Sequence, residues 1–438
     1  MLTDEQIEVL GETLCPLFEY LEQEVIADVS RRLLKTLTYT RTAELTMQNM
    51  LGLGYSPQKI QMEVLRRLRA DAKFCKMVED NTIAYKKDIK KLIEDIVDDA
   101  IKTGDEVVAK AGNMSWVDDM SVWQSQGIEI SKTRLPALVD AMQRQTGIEL
   151  LNLSKTLAFK GIRGAEPILN LYTMELNKAM VKISGGFDAT TVIRGVVKDL
   201  ANSGLRSIDF MSGRTMQMDS AVRLALRTGT HQLSGQIQAR NIIDTDVSLV
   251  YVTEHQNARN KGFGVENHEE WQGKVYSVKL GNYDEEAKRI GQEQITDLYD
   301  ATGYCIDGTK PNNPLGLYGY NCRHRTHPWF VGVSEKPKRL EPKAPIKWND
   351  RELDGYAQTQ EMRRMEYNIR KLKREKEAMR RYGEDTYGIS RKIDMRESEY
   401  RDFCYRCGVK PSNVRTYYEG GTADITKTEA YKRFKMLK

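Results

Sequence analysis

The stretch Val247-Ser248-Leu249-Val250-Tyr251-Val252-Thr253 decides the fold class. Its β-branched and aromatic residues suit a pleated strand, and it follows a long run of helical periodicity. Lys274-Val275-Tyr276-Ser277-Val278 reads as a second short strand. The expected class is therefore α+β: a long N-terminal all-helical region, a smaller mixed α/β module and a basic C-terminal helix.

Working outward toward the N-terminus, Leu10, Leu14, Leu17, Leu21 and Val25 recur at helical steps and lay one apolar stripe that needs a partner. Ser56-Pro57 supplies an N-cap and a first-turn proline for a helix carrying Ile60, Val64, Leu65 and Leu68. Ile89, Leu92, Ile93, Ile96 and Val97 repeat the pattern, and Thr103-Gly104-Asp105 is read as ending one helix and capping the next. Further helices fit Leu135 to Leu153, Glu166 to Lys182, Ala189 to Asn202 and Thr215 to Thr228. Glycine-bearing breaks such as Ser184-Gly185-Gly186 and Asn202-Ser203-Gly204 separate them. No fixed-period repeat is visible.

Toward the C-terminus, Lys336-Pro337-Lys338 to Pro345 reads as an extended linker, because each proline disfavours helix at its predecessor. Beyond it, Met362, Met365, Ile369, Leu372 and Met379 take heptad-type positions, with Lys376 interrupting the seam. From Ala357 to Tyr382 this helix carries nine Lys/Arg against four Glu. The expected division is a helical region at 1–205, an α+β module at 206–335, a linker at 336–350 and a basic helical region at 351–438.

The whole chain of 438 residues has 40% hydrophobic and 29% charged residues, which places it among ordinary globular chains and predicts two to four domains at roughly 150 residues each. A formal charge of +5 is too mild to announce a nucleic-acid binder. The acidic opening MLTDEQIEVL resembles neither a secretory signal nor a transit peptide. No window has the ~18 to 20 apolar residues of a membrane span, so a soluble chain without a membrane segment is expected. Six scattered cysteines predict reduced thiols rather than a disulfide framework.

Chemically, the unusual part lies between the strands and just after them. Glu254, His255, Asn257, Arg259, His268 and Trp271 are followed by the irregular Thr309-Lys310-Pro311-Asn312-Asn313-Pro314 and then Gly319-Tyr320-Asn321-Cys322-Arg323-His324-Arg325. Four of the five histidines fall between 255 and 327. Cys322-x-His324-x-x-His327 offers three borderline or soft metal ligands, which Cys305, His255 or His268 would complete to a zinc tetrahedron. The spacing matches no standard zinc motif, so packing of a small buried thiol outweighs metal, and metal outweighs catalysis. Cys404-x-x-Cys407 reads as an incidental pair near a helix end, since no βαβ unit surrounds it.

Other chemistries find little support. There is no Gly-x-Ser-x-Gly elbow, and the Met211-Ser212-Gly213 turn has no partner base in sequence. No phosphate loop is present, which disfavours an ATP-driven motor. Asp98-Asp99 and Asp118-Asp119 read as solvated or capping acids. The basic helix offers Arg363, Arg364, Arg370, Lys371, Lys373 and Arg374 as DNA phosphate contacts. Interspersed acids, such as Glu366 four before Arg370, favour a solvated, salt-bridged helix instead.

The run Met216-Gln217-Met218-Asp219-Ser220-Ala221-Val222-Arg223, with Gln232-Leu233 to Gln236-Ile237-Gln238, resembles the phage minor capsid protein 2 family. Later landmarks agree in order: Glu254-His255-x-x-Ala258-Arg259, then Glu270-Trp271-Gln272-Gly273-Lys274-Val275-Tyr276-Ser277, then Gly319-Tyr320-Asn321-Cys322-Arg323-His324. Gln358-x-Gln360-x-x-Arg363 follows, leading into Ile369-Arg370-Lys371-Leu372-Lys373-Arg374. The likeness covers nearly the whole chain and is strongest from about 210 to 380. Two departures stand out: Thr253-Glu254 replaces a small Ser-Ala before the histidine, and the loop before Asn321 is long and proline-rich. The element is also similar to a His-Pro-Asn-Cys-Arg-Cys run in head proteins of the phage Mu type. Here His324 replaces the last cysteine, so a metal or disulfide inferred from paired cysteines does not transfer.

The resemblance implies a structural virion component of a tailed bacteriophage, made in the host cytoplasm and placed inside the head near the portal vertex. That position is compatible with ejection alongside the DNA. Its partners would be the portal and other capsid proteins, with packaged DNA as a further contact, and it requires no cofactor. Within it, Trp271 is expected to anchor the module and Gly273, beside Lys274, to permit close approach of strand and loop. Asn321 and Arg323, flanking Cys322 and His324, are expected to pin the return loop by hydrogen bonds. The rival is a head-associated enzyme or toxin-like effector in which Glu254, His255, His268, Cys322 and His324 converge on a pocket.

Overall fold

Thr3 opens helix α1 (Asp4–Glu12) with a reciprocal capping box to Gln6, and a short break leads into α2 (Cys15–Leu37). The predicted stripe crosses this break intact, with Leu10, Leu14, Leu17, Leu21 and Val25 all fully buried. The computed structural model describes residues 2–37, 41–161, 164–208 and 215–437. Met211-Ser212-Gly213 lies outside the described residues.

Helix α3 (Arg41–Gly52) turns into α4 (Pro57–Ala70), which starts at Ser56-Pro57 as expected. Asp71 then caps α5 (Ala72–Ser125), a helix of 54 residues and about 80 Å at 1.5 Å per residue. It runs straight through Thr103-Gly104-Asp105, correcting the expected break. Gly104 instead serves packing: a Cβ there would stand 3.4 Å from Leu150 Cδ1 on α6 (Leu135–Lys155).

Two further expected helices begin as strands. The segment from Glu166 opens in β2 (Gly164–Pro167), antiparallel to β1 (Leu157–Gly161), before α7 (Leu171–Ser184). Pro167 holds its predecessor out of helix. After α8 (Ala189–Ser203), β3 (Arg206–Ile208) pairs with β4 (Thr215–Gln217), and only then does α9 (Met218–Asp244) start. The resulting sheet has the order β2-β1-β3-β4, so the helical region contains short strands held by long-range pairing.

The second sheet is the mixed module. β5 (Leu249–Val252) lies between β6 (Val275–Ser277) and β7 (Thr326–Trp329), all antiparallel. Because side chains alternate, Val250 and Val252 face a core with Trp123 of α5 and Ile242 of α9. Leu249 and Tyr251 face Val275 and Trp329 on the other side. Around this sheet run the short helices α10 (His268–Trp271), α11 (Asp284–Arg289) and α12 (Leu298–Thr302).

The Pro/Lys segment reaches a β8 (Ile346–Trp348) and β9 (Arg351–Leu353) hairpin without regular structure, held on both sides. Leu340 N–H donates to Glu254 Oε2 at 2.7 Å, and Lys343 Nζ to Cys407 O at 2.9 Å. The basic helix α13 (Gly355–Arg381) then splits its apolar seam. Met362, Met365 and Ile369 pack on Tyr400 and Phe403 of α14 (Tyr387–Arg406), whereas Ala378 and Met379 enter the core built on α2 and α8. Cys404 and Cys407 are buried in the α13/α14 cluster and act as packing. The chain closes through α15 (Asn413–Thr416) and α16 (Glu429–Met436), with Phe434 in the large N-terminal core.

Candidate functional site

The site grows from three pieces that meet at the end of the β5–β7 sheet: α10, the turn after it, and the return loop 313–325. Asn267 caps α10 by accepting from Glu269 N–H. Trp271 is buried, donates from Nε1 to Val265 O at 3.1 Å, and accepts at its carbonyl from Tyr276 Oη–H at 2.7 Å. Gly273 sits at φ +68°, and a Cβ there would lie 2.0 Å from Glu254 Oε1. Lys274 contributes through its backbone, its carbonyl accepting from Val252 N–H at 2.9 Å, while its side chain is exposed.

The return loop is fastened mainly by histidines donating to its carbonyls. His255 Nε2 donates to Arg323 O at 2.7 Å, His268 Nε2 to Leu315 O at 2.8 Å, and His231 Nε2 to His324 O at 3.1 Å. His324 Nε2 donates to Gln272 Oε1 at 3.0 Å, an oxygen that also accepts from His255 N–H at 2.7 Å. The Trp271 and His324 rings stack edge-on, 4.7 Å between centroids. Asn321 contributes through its backbone, which holds φ +59°, a left-handed conformation that Asn tolerates. Arg323 contributes its carbonyl, with its guanidinium 3.9 Å from Asp4.

Of the sequence-derived ligands, Cys322 and His324 come together, with Sγ and Nδ1 3.6 Å apart, and His268 joins them. Cys305 and His327 do not. Cys305 is tied into its own loop by Asp307 Oδ1 at 3.0 Å and Asn312 Oδ1 at 2.7 Å. His327 falls one residue past Thr326, which points to Gln238, so strand alternation turns it to the opposite face.

Burial dominates the electrostatics. It lowers His268 to about 4 and His231 to about 3, and holds His324 well below the usual imidazole range. Burial pushes the Cys322 thiol up to about 11. A cavity of about 150 Å³ borders the cluster, lined by His255, His268, His324, Arg259, Arg323 and Arg363 among others.

The proposed DNA contacts do not form one exposed face. Arg370 and Arg374 are buried, paired with Asp219 at 2.9 Å and Glu22 at 2.7 Å. Arg364 pairs with Glu361 at 2.5 Å, Lys373 with Glu397 at 2.7 Å, Lys371 is half-buried and Arg363 lines the cavity. Packing against its neighbours turns Arg370 and Arg374 inward, together with Glu361, Glu366 and Glu375. Asp119 is likewise buried, accepting from Trp123, Gln238 and Asn241, and is no solvated acid. Asp98 and Asp99 are exposed, as read from the sequence. Sequence reasoning missed His231 and Asp4; only the packing of α9 and α1 against the loop brings them there.

Comparison with known proteins agrees with the motifs. The profile of the family described as "Phage minor capsid protein 2" matches residues 2–404. A protein of Lactococcus phage LL-H, named "Structural protein", is 26% identical over 289 residues, covering 64% of this chain and 71% of that protein. No solved structure matches the chain. With the profile spanning nearly all of the sequence, this chain belongs to the phage minor capsid protein 2 family.

Proposed function

We propose that this capsid protein is a structural minor head protein that acts in head assembly inside the phage head, beside the portal, contacting the portal and other capsid proteins. The observation that carries a structural over an enzymatic reading is the state of Cys322. The thiol of the cluster is buried, and burial pushes it up to about 11, so it stays protonated at neutral pH, whereas a working cysteine nucleophile is a thiolate in a partly exposed, electropositive setting. The histidines around it use their Nε2–H groups to hold a loop.

The surface supports docking. The α3/α4 hairpin exposes Leu51 (59%), Leu53 (73%) and Met62 (70%), an apolar surface of the kind that meets a helical partner. None of the helices searched among the described residues is long and apolar enough to cross a membrane. From a position beside the portal, the protein would also be placed to leave the head with the DNA.

Cryo-electron microscopy of the intact virion tests this. Density for the chain is expected inside the head at the portal vertex, with α3/α4 against a neighbouring protein. Density on the outer shell, or no copy in the virion, overturns the reading.

A further inference from the structure

The histidine-cysteine cluster has a geometry that loop fastening alone does not use. His268, Cys322 and His324 each bring one ligand atom to within 4.8 Å of the other two, and all three residues are buried. The Cys322 Sγ to His324 Nδ1 edge, 3.6 Å, already has the length set by a tetrahedral zinc with bonds of about 2.0 to 2.3 Å, roughly 3.5 Å from ligand to ligand. The remaining edges, each no longer than 4.8 Å, would have to shorten toward that length by side-chain rotation.

The hydrogen bonds fix which ring nitrogens are free. A carbonyl oxygen only accepts, so His268 Nε2, facing Leu315 O, carries its proton. Gln272 Oε1 accepts from His255 N–H, which fixes it as the oxygen, so His324 Nε2 facing it also carries a proton. With Nε2 of each ring spent on an accepting oxygen, Nδ1 is the nitrogen left to offer a lone pair. An imidazole whose other nitrogen donates to a carbonyl or amide oxygen is the outer-shell arrangement of metal-bound histidine.

We propose that His268, Cys322 and His324 bind one transition-metal ion of the zinc class, with a fourth position facing the cavity that His268 and His324 border. Two imidazoles and one thiol are a soft-to-borderline set that suits zinc and excludes magnesium or calcium. On binding, the Cys322 thiol loses its proton to solvent and the thiolate becomes the ligand; nearby Arg259 also favours that anion. Beyond the capsid role, this gives the module a fastening that ties the loop before Arg325 to α10.

The test uses the purified full chain. Elemental analysis should find stoichiometric zinc, and after chelation, cobalt(II) should restore a tetrahedral visible spectrum with a thiolate charge-transfer band. Cys322→Ser should abolish that band, and His268→Asn or His324→Asn should weaken cobalt binding roughly tenfold or more. Cys75→Ser, at an exposed thiol, should leave the band unchanged. Wild-type chain that carries no stoichiometric metal and gives no cobalt spectrum overturns the proposal, as does a band that survives Cys322→Ser or vanishes with Cys75→Ser. Should Cys322→Ser fail to fold, the wild-type metal content, the cobalt spectrum and the Cys75→Ser control decide alone.

Discussion

Arg370 Nε donates to Asp219 Oδ2 at 2.9 Å across 151 residues of sequence, and both side chains are buried. The same carboxylate accepts from Arg223, which pairs in turn with Glu12, so α13, α9 and α1 share one ionic network. Two of the basic residues of α13, Arg370 and Arg374, thus act as internal cement. Its N-terminal half fastens α14 and its arginines fasten the helical body.

Removing one partner leaves the other charge buried and uncompensated. Arg370→Ala is expected to cost about 3 to 5 kcal/mol, read from urea unfolding at neutral pH. A loss under 1 kcal/mol would show that water reaches the pair.

The acid side of the pH profile follows from the same network. Burial alone would raise Asp219, but Arg370 and Arg223 hold it far below the carboxylate range; at Glu8, Arg227 and Arg415 outweigh burial and hold it at about 2. A depressed folded value gives stability that is present above the unfolded value of about 4 and is lost as pH falls through the folded one. Stability should therefore drop steeply between about pH 5 and 2. Arg415→Ala should flatten that drop, and identical acid profiles for variant and wild type would sink the assignment.

Glu19 acts in the opposite sense. Burial raises its carboxyl to about 8 despite the hydrogen bond from Glu419 N–H at 3.0 Å. A raised folded value means its contribution is intact below about 4.5 and is lost as pH climbs through 8. Glu19→Gln should match wild type within about 1 kcal/mol at pH 5 and exceed it by a few kcal/mol at pH 9. Parallel curves in urea unfolding would contradict this.

Trp271 fills the space between α10 and the return loop, so Trp271→Ala should lose about 3 to 5 kcal/mol. Unchanged melting refutes its role as the module's anchor. Gly273→Ala meets both a left-handed φ and the Glu254 side chain. It should cost at least the ~1 to 2 kcal/mol of the backbone conformation and release Glu254 from Leu340.

The paired change Leu51→Glu with Leu53→Glu alters exposed positions, so stability should stay within about 0.5 kcal/mol of wild type. Incorporation into heads, measured by the protein content of purified particles, should fall. Full incorporation would remove the hairpin from the docking role.

By itself, the sequence determined the helices with a clear apolar stripe, the β5 and β6 strands, the start of α4 at Ser56-Pro57 and the family motifs. Each rests on residues close together in the chain, where periodicity, β-branching and capping act locally. Tertiary structure alone decided the β1–β4 sheet, whose short strands join Leu157 to Ser207. It also decided the passage of α5 through Gly104, the inward turn of Arg370 and Arg374, and the replacement of Cys305 and His327 by His268 beside Cys322 and His324. These depend on which distant surfaces meet, and local patterning carries no record of a partner that arrives from far along the chain.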